Sequence, residues 1–145
     1  MEISRRSMFV AMPLLMAACS ATSQAAEAPA GQVLKSMVLP YDTLPVQTHA
    51  TTASRAILNG LLHNGQQLEV HETTLQAGAS PHPPHQHVHE EMFLMVKGQL
   101  EVTIAGKTQS IGPGAAAFVA SGELHGVRNA TAEETQYFVV AFEGK

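Results

Sequence analysis

The amino-acid sequence predicts an all-β domain, of the sandwich, barrel or jelly-roll kind. Three observations carry this. Turn signals recur at short intervals, at Asn59-Gly60, Asn64-Gly65, Ala77-Gly78, Lys97-Gly98, Ala105-Gly106, Gly112-Pro113-Gly114 and Ser121-Gly122. The runs between them suit strands. Two of these, Leu68-Glu69-Val70-His71-Glu72 and Leu100-Glu101-Val102-Thr103-Ile104, alternate apolar with polar residues as half-buried strands do. Finally, no segment sustains a helical repeat, since the stretch before Asn59 and the pair Leu61-Leu62 are both too short.

Taken in order, the chain begins with the layout of an export signal over residues 1–25. Arg5 and Arg6 supply the positive start, residues 8–18 an uncharged apolar run, and Ser23-Gln24-Ala25 or Ala26-Glu27-Ala28 a small-x-small cleavage site. The apolar run is too short to cross a bilayer. Ser4-Arg5-Arg6-Ser7-Met8-Phe9 resembles a twin-arginine signal, a route that carries folded proteins. Met16-Ala17-Ala18-Cys19 loosely resembles a lipoprotein cleavage site, with Met16 where Leu is usual. Both readings place the mature protein outside the cytoplasm, in the periplasm, free or held by a lipid on Cys19.

Cys19 is the only cysteine. A mature chain cut beyond it has no disulfide, no thiolate nucleophile and no Cys-ligated zinc. Residues 26–50 read as a flexible leader and N-terminal arm. Residues 20–32 are rich in Ala, Ser, Thr and Gln, while 33–44 hold a short strand or arm, with Pro40 and Pro45 as breakers. Residues 51–145 form one domain, of a size that buries roughly 65% of its unfolded surface. The mature part keeps six basic and eleven acidic residues with no basic patch, which argues against a nucleic-acid partner. It also has no apolar stretch long enough to span a membrane. Strands are expected at 54–58, 67–75, 92–96, 100–104, 116–120, 126–129 and 135–142.

One stretch concentrates chemistry: Pro81-His82-Pro83-Pro84-His85-Gln86-His87-Val88-His89-Glu90-Glu91. Four of the eight histidines fall there, with two carboxylates behind them. Imidazole and carboxylate suit a borderline divalent metal. The three prolines preclude a regular helix, so the segment is extended. In an extended chain His85, His87 and Glu91, separated by even numbers, point the same way. His89 shares that parity and stands as a rival ligand or a rim residue. Parity sets Glu90 aside as solvated.

These residues carry a family resemblance. Gly78 … His85-x-His87-x3-Glu91-x6-Gly98 resembles the first motif of the cupin family, and Gly114-x5-Ala120-x-Gly122-x2-His125-x3-Asn129 resembles the second. The likeness extends through flanking strands to about residues 52–143. It implies a double-stranded β-helix, a small jelly-roll barrel. It also implies one metal (Fe, Mn, Ni, Cu or Zn) held inside by His85, His87, Glu91 and His125. The sequence departs from the pattern in three places. Six residues rather than five separate Gly78 from His85, Ala120 replaces a usual Pro, and Ala115 follows Gly114 where Asp is common. None removes a ligand.

The residues support the same set. Glu91 opens a strand, and a carboxylate on an inner face needs a partner, which a cation supplies. His125 follows the turn Ser121-Gly122-Glu123 and reaches the site from another strand. Three nitrogens and one oxygen leave two octahedral positions open for substrate, water or O2. The resemblance implies a metal-dependent enzyme, with dioxygenation or another oxidation of a small organic acid or phenol as the leading chemistry. Isomerisation and decarboxylation are variants, and a non-catalytic metal- or carbohydrate-binding module is the alternative. It also implies a homodimer. No general base stands out; His89 and Glu123 are nearest by sequence. His82 is expected at the rim, and His49, His63 and His71 on the surface or an edge strand. Met92 and Met95 lie on opposite faces, with Met95 and Phe93 lining the barrel. Tyr137, Phe138 and Phe142 read as core or interface, and Arg128 as a surface charge.

Overall fold

The computed structural model describes residues 31–143, so the expected export signal and Cys19 lie outside the described residues. Nine strands follow a 3-10 turn at Tyr41–Thr43. They are β1 (Val46–Thr48), β2 (Thr52–Leu61), β3 (Gln67–Leu75), β4 (Glu90–Lys97), β5 (Leu100–Ile104), β6 (Lys107–Ile111), β7 (Ala116–Val119), β8 (His125–Arg128) and β9 (Thr135–Glu143). One sheet has the order β1-β2-β3-β9-β4-β7 and the other β6-β5-β8. All named pairs are antiparallel. The all-β jelly-roll expected from the sequence is what forms.

The inner face of the large sheet is read from its register. Thr73, Tyr137 and Met95 lie side by side across β3, β9 and β4, and the next row is His71, Val139, Phe93 and Ala117. Beyond it comes Glu69, Ala141, Glu91 and Val119. Tyr137, Met95, Phe93, Val139 and Val119 are buried, so this face looks inward. Leu100, Val102 and Val127 meet it from the small sheet. Each fully buried side chain of this kind contributes about 1.5–3 kcal/mol. One end of the barrel is thus closed by apolar packing, while the row holding Glu69 and Glu91 forms a polar mouth.

Two latches hold the loops that carry the site. Gly126 presses against Pro84, where a Cβ would stand 3.1 Å from Pro84 Cγ and 3.3 Å from its Cα. The bare backbone lets the histidine-bearing segment lie against β8. Asn129, the last residue of the second motif, is fully buried. Its side-chain amide nitrogen lies 3.1 Å from the carbonyls of Leu75 and Gln76 and 2.6 Å from that of Glu133. Its carbonyl oxygen accepts from the backbone N–H and hydroxyl of Thr131. It ties strand ends together and stays clear of the metal site.

The structure differs from the expectation in three places. Asn59-Gly60 reads as a turn but lies inside β2. Leu34 packs over Gly60, the Gln67 amide donates to Asn59, and the chain reverses one step later, before β3. The strand β6 has an almost wholly exposed polar pattern, Lys-Thr-Gln-Ser-Ile, with no alternation to announce it. It exists because a two-residue turn folds it back on β5. In the short β1, Val46 pairs with Arg55 of β2. The Arg55 side chain also donates to the carbonyls of Tyr41 and Leu44 and covers the Tyr41 ring at 3.9 Å, drawing the arm onto the sheet.

The β5–β6 turn is strained. Ala105 has φ +48 and Gly106 φ +78, the left-handed pair that a tight hairpin requires. Alanine resists that conformation, whereas asparagine tolerates it. Ala105→Asn should therefore raise stability by roughly 0.5–1 kcal/mol, read as a higher urea midpoint at unchanged m-value. A midpoint equal to or below that of the parent protein would refute the strain argument.

Candidate metal centre

His85, His87, Glu91 and His125 come together at the mouth. His85 and His125 exchange backbone hydrogen bonds, each N–H donating to the other's carbonyl at 2.9 Å. This isolated bridge sets their side chains next to each other, with ring centroids 4.7 Å apart. The backbone N–H of Gly122 donates to the carbonyl of His87 at 2.8 Å and fixes the next turn of the loop. Glu91 reaches in from β4, across the barrel from β8. Nitrogen atoms from His85, His87 and His125 all lie within 4.8 Å of one another.

The donor set shows why a cation fits. His125 Nδ1 is 2.9 Å from the carbonyl of Glu123, and His87 Nδ1 is 2.9 Å from that of His89. A carbonyl only accepts, so each Nδ1 carries a hydrogen, and in the neutral ring each Nε2 presents a lone pair. Both Nε2 atoms face the same carboxylate oxygen. Glu91 Oε2 lies 3.1 Å from His125 Nε2 and 3.6 Å from His87 Nε2. Lone pair faces lone pair, an arrangement that a shared cation converts from repulsion to ligation. His87 Nε2 and His85 Nδ1 are also buried with no hydrogen-bond partner. Orphaned ring nitrogens around a carboxylate are what a three-imidazole, one-carboxylate site for a divalent transition metal requires.

Burial and the neighbouring His82, His125 and His87 hold the His85 imidazole below the ordinary histidine value, with Glu91 opposing. This keeps His85 neutral and ready to ligate. His125 is almost fully enclosed, while the side chains of His87 and Glu91 are 15% and 14% exposed. The site is therefore sealed behind His125 and open on the His87–Glu91 side. The Phe93 ring, 6.4 Å from that of His125, forms part of its apolar floor.

The other histidines fall as follows. His82 is exposed and sets its ring edge-on to His85 at 4.3 Å. His89 stacks flat on His87 at 3.6 Å, and His87, His89 and Glu91 form a second set with mutually close ligand atoms. His89 is thus closer to the site than a rim position implies. His49 and His63 are exposed, as is Arg128. Tyr137 is deep core, and burial pushes its hydroxyl well above the usual tyrosine range.

His71 departs from the expectation. It lies on β3, which runs between β2 and β9 and so is not an edge. It faces the barrel interior in the row of Phe93, and its Nδ1 meets Glu69 Oε1 at 3.2 Å. The alternation of Leu68 and Val70 with Glu69 and His71 was visible in the sequence. Which of the two faces points inward was not.

Residues 71–141 match the cupin domain family. The chain is a small cupin. Solved cupin-like structures share its fold. KdgF from Halomonas sp. is 17% identical, with a TM-score of 0.66 over 77% of this chain and 96% of that one. A protein described as a predicted oxalate decarboxylase from Thermotoga maritima is 19% identical, with a TM-score of 0.64 over 74% of this chain and 100% of that one. The polyketide cyclase RemF from Streptomyces resistomycificus is 20% identical, with a TM-score of 0.60 over 74% and 80%. At these identities the likeness is one of fold. No curated protein matches the chain.

Two outcomes test this centre. Alanine at His87, Glu91 or His125 should abolish stoichiometric uptake of a divalent transition metal, measured by elemental analysis, while His82→Ala keeps it. Equal loss in the His82 variant would show that the ligands are misassigned. The second outcome concerns pH. Because the folded value of His85 lies below the unfolded one, the unfolded chain binds more protons between the two. Metal-free protein should therefore lose stability as pH falls through about 6.5, and His85→Gln should lose less. Equal pH slopes for the two proteins would overturn the assignment.

Proposed function

We propose that this cupin is a metal-dependent enzyme acting on a small organic acid or phenol, with oxidation of the dioxygenase kind leading and isomerisation or decarboxylation as variants. The observation that carries the reading is the convergence of two imidazole lone pairs on one oxygen of Glu91, with the His85 ring beside them. A bound Fe, Mn, Ni, Cu or Zn ion would supply Lewis acidity, and a redox-active ion electron transfer as well.

The protein's own part is orientation. The carbonyls of Glu123 and His89 fix the ring tautomers, and Glu91 sets the charge of the site. The sealed back and open His87–Glu91 side leave one direction of approach for a ligand. The names of two structural neighbours, a predicted oxalate decarboxylase and a polyketide cyclase, support a small oxygen-containing organic molecule as the ligand. A non-catalytic metal- or carbohydrate-binding module is the second reading. It is favoured by the exposed rim at His82, Gln86 and Val88, which leaves the mouth open.

We also propose export to the periplasm through the N-terminal signal, and pairing into a homodimer. The outer face of the large sheet supports pairing: Met92 lies beside Phe118 and Val140, and Leu94 beside Phe138, with Leu94 and Phe118 exposed.

Purified protein should carry about one transition metal per chain, and oxygen uptake over a panel of small acids and phenols should separate the readings. Trace metal only would sink the enzyme. Uptake of metal with no turnover of any kind would favour the binder. Mass spectrometry of exported protein should find a mature chain beginning near Ala26, and sedimentation should give twice its mass. An uncleaved chain would refute the signal, and a monomer the pairing.

A further inference from the structure

Beside the metal site, in the row of Glu91 and the row next to it, lie two titratable side chains that the ligand set does not use. Glu69 and His71 are two residues apart on β3 and so share its inner face. His71 Nδ1 donates to Glu69 Oε1 at 3.2 Å. That bond commits Nδ1 as donor and leaves Nε2 with a free lone pair. Its cross-strand neighbours, Ala56 on β2 and Val139 on β9, offer no competing polar group. The side chains of His71 and Glu69 are 27% and 48% exposed, so solvent reaches both.

The register places this pair against the metal site. Glu69 is opposite Ala141, and Ala141 is opposite Glu91. Two strand spacings separate the carboxylates' backbones, about 10 Å, and only the methyl of Ala141 projects between them. His71 stands one row further in, beside Val139 and then Phe93. Charge links the two groups as well. The hydrogen bond from His71 outweighs the opposing effect of burial and holds the Glu69 carboxyl below the ordinary glutamate range, with His89 adding to the pull. His89 is the ring stacked on the ligand His87.

We propose that His71 is the proton acceptor of this site and Glu69 the positioning residue that orients it, acting on a small hydroxy- or keto-acid, or hydroxy-ketone, held in the mouth. The inference rests on the metal-site reading above. An imidazole whose far nitrogen is fixed by a carboxylate is the arrangement of an oriented general base. In the step, the C–H bond next to a carbonyl breaks and its proton forms an N–H bond at His71 Nε2. The electron pair passes into the adjacent bond and onto the carbonyl oxygen. Glu69 balances the imidazolium. Return of the proton to the same carbon gives exchange, and return to a different atom gives isomerisation. No oxidant or reductant is consumed.

The test uses the full mature chain loaded with zinc(II), in D2O, with pyruvate, 2-oxoglutarate and dihydroxyacetone as probes. Proton NMR follows loss of the hydrogens next to each carbonyl. Wild-type protein should exchange at least one probe ten-fold or more faster than free zinc(II). His71→Asn should return to that blank while still binding one zinc per chain. Glu69→Gln should fall ten- to hundred-fold, and Glu69→Asp should recover part of the loss. A second readout needs neither metal nor probe: 15N spectra of metal-free protein should show His71 protonated on Nδ1, and Glu69→Gln should erase that preference. Exchange unchanged in the His71 variant, or absent from wild-type protein that holds zinc, overturns the dyad alone. Wild-type protein that binds no zinc overturns the metal reading and the dyad with it.

Discussion

The contact between His125 Nε2 and Glu91 Oε2 at 3.1 Å is the point on which this barrel's mouth depends. With the ring neutral, both atoms present lone pairs, since the Nδ1–H of His125 donates to the carbonyl of Glu123. Such a contact is tolerated inside a protein when a cation sits between the groups, because the electrostatic cost of an uncompensated carboxylate in a low-dielectric interior is several kcal/mol. The rest of the local architecture serves that convergence. The His85–His125 backbone bridge brings two rings together, Gly126 lets Pro84 close in, and Asn129 fixes the strand ends behind them.

The barrel has a gradient along its axis. At one end Leu75, Leu100, Tyr137 and Met95 pack with almost no exposure. One row further along, the inner face of the large sheet carries His71, and the next carries Glu69 and Glu91, which meets His125 of the small sheet and the His85–His87 loop. Apolar closure at one end supplies the stability that lets the other end hold charge. The inversion is clearest on β3, where Thr73 and Leu75 are buried while His71 and Glu69 of the same parity open to the mouth. Leu68 and Val70 instead join Phe142 and Val140 on the outer face. One strand thus has an apolar outside at one end and an apolar inside at the other, so its alternation alone is ambiguous.

The likeness to solved cupins is one of backbone, at 17–20% identity for the three compared. A fold of this kind hosts many chemistries, and what separates them is the set of side chains at the mouth. In this chain that set is a complete ligand group, a stacked His89 and a carboxylate–imidazole pair two strands away. The last of these bears on reaction type, because it handles protons without any redox partner.

The sequence by itself determined the class of fold and singled out the four candidate ligands, three of them within one short segment. Turns at short intervals and period-two alternation are local properties, and so is the even spacing of His85, His87 and Glu91 in a proline-stiffened segment. His125 was legible through its own motif, but its meeting with Glu91, thirty-four residues away in the chain, is a product of strand order. Tertiary structure alone decided the rest. It turned Asn59-Gly60 into strand by laying Leu34 across it, and made a strand of the polar residues 107–111 by pairing them with β5. It also chose which face of β3 looks inward, making His71 part of the mouth where the sequence reading put it on the surface or an edge strand. The physical reason is common to all three. A residue's face and partner depend on what packs across from it, and that information lies in segments far away along the chain.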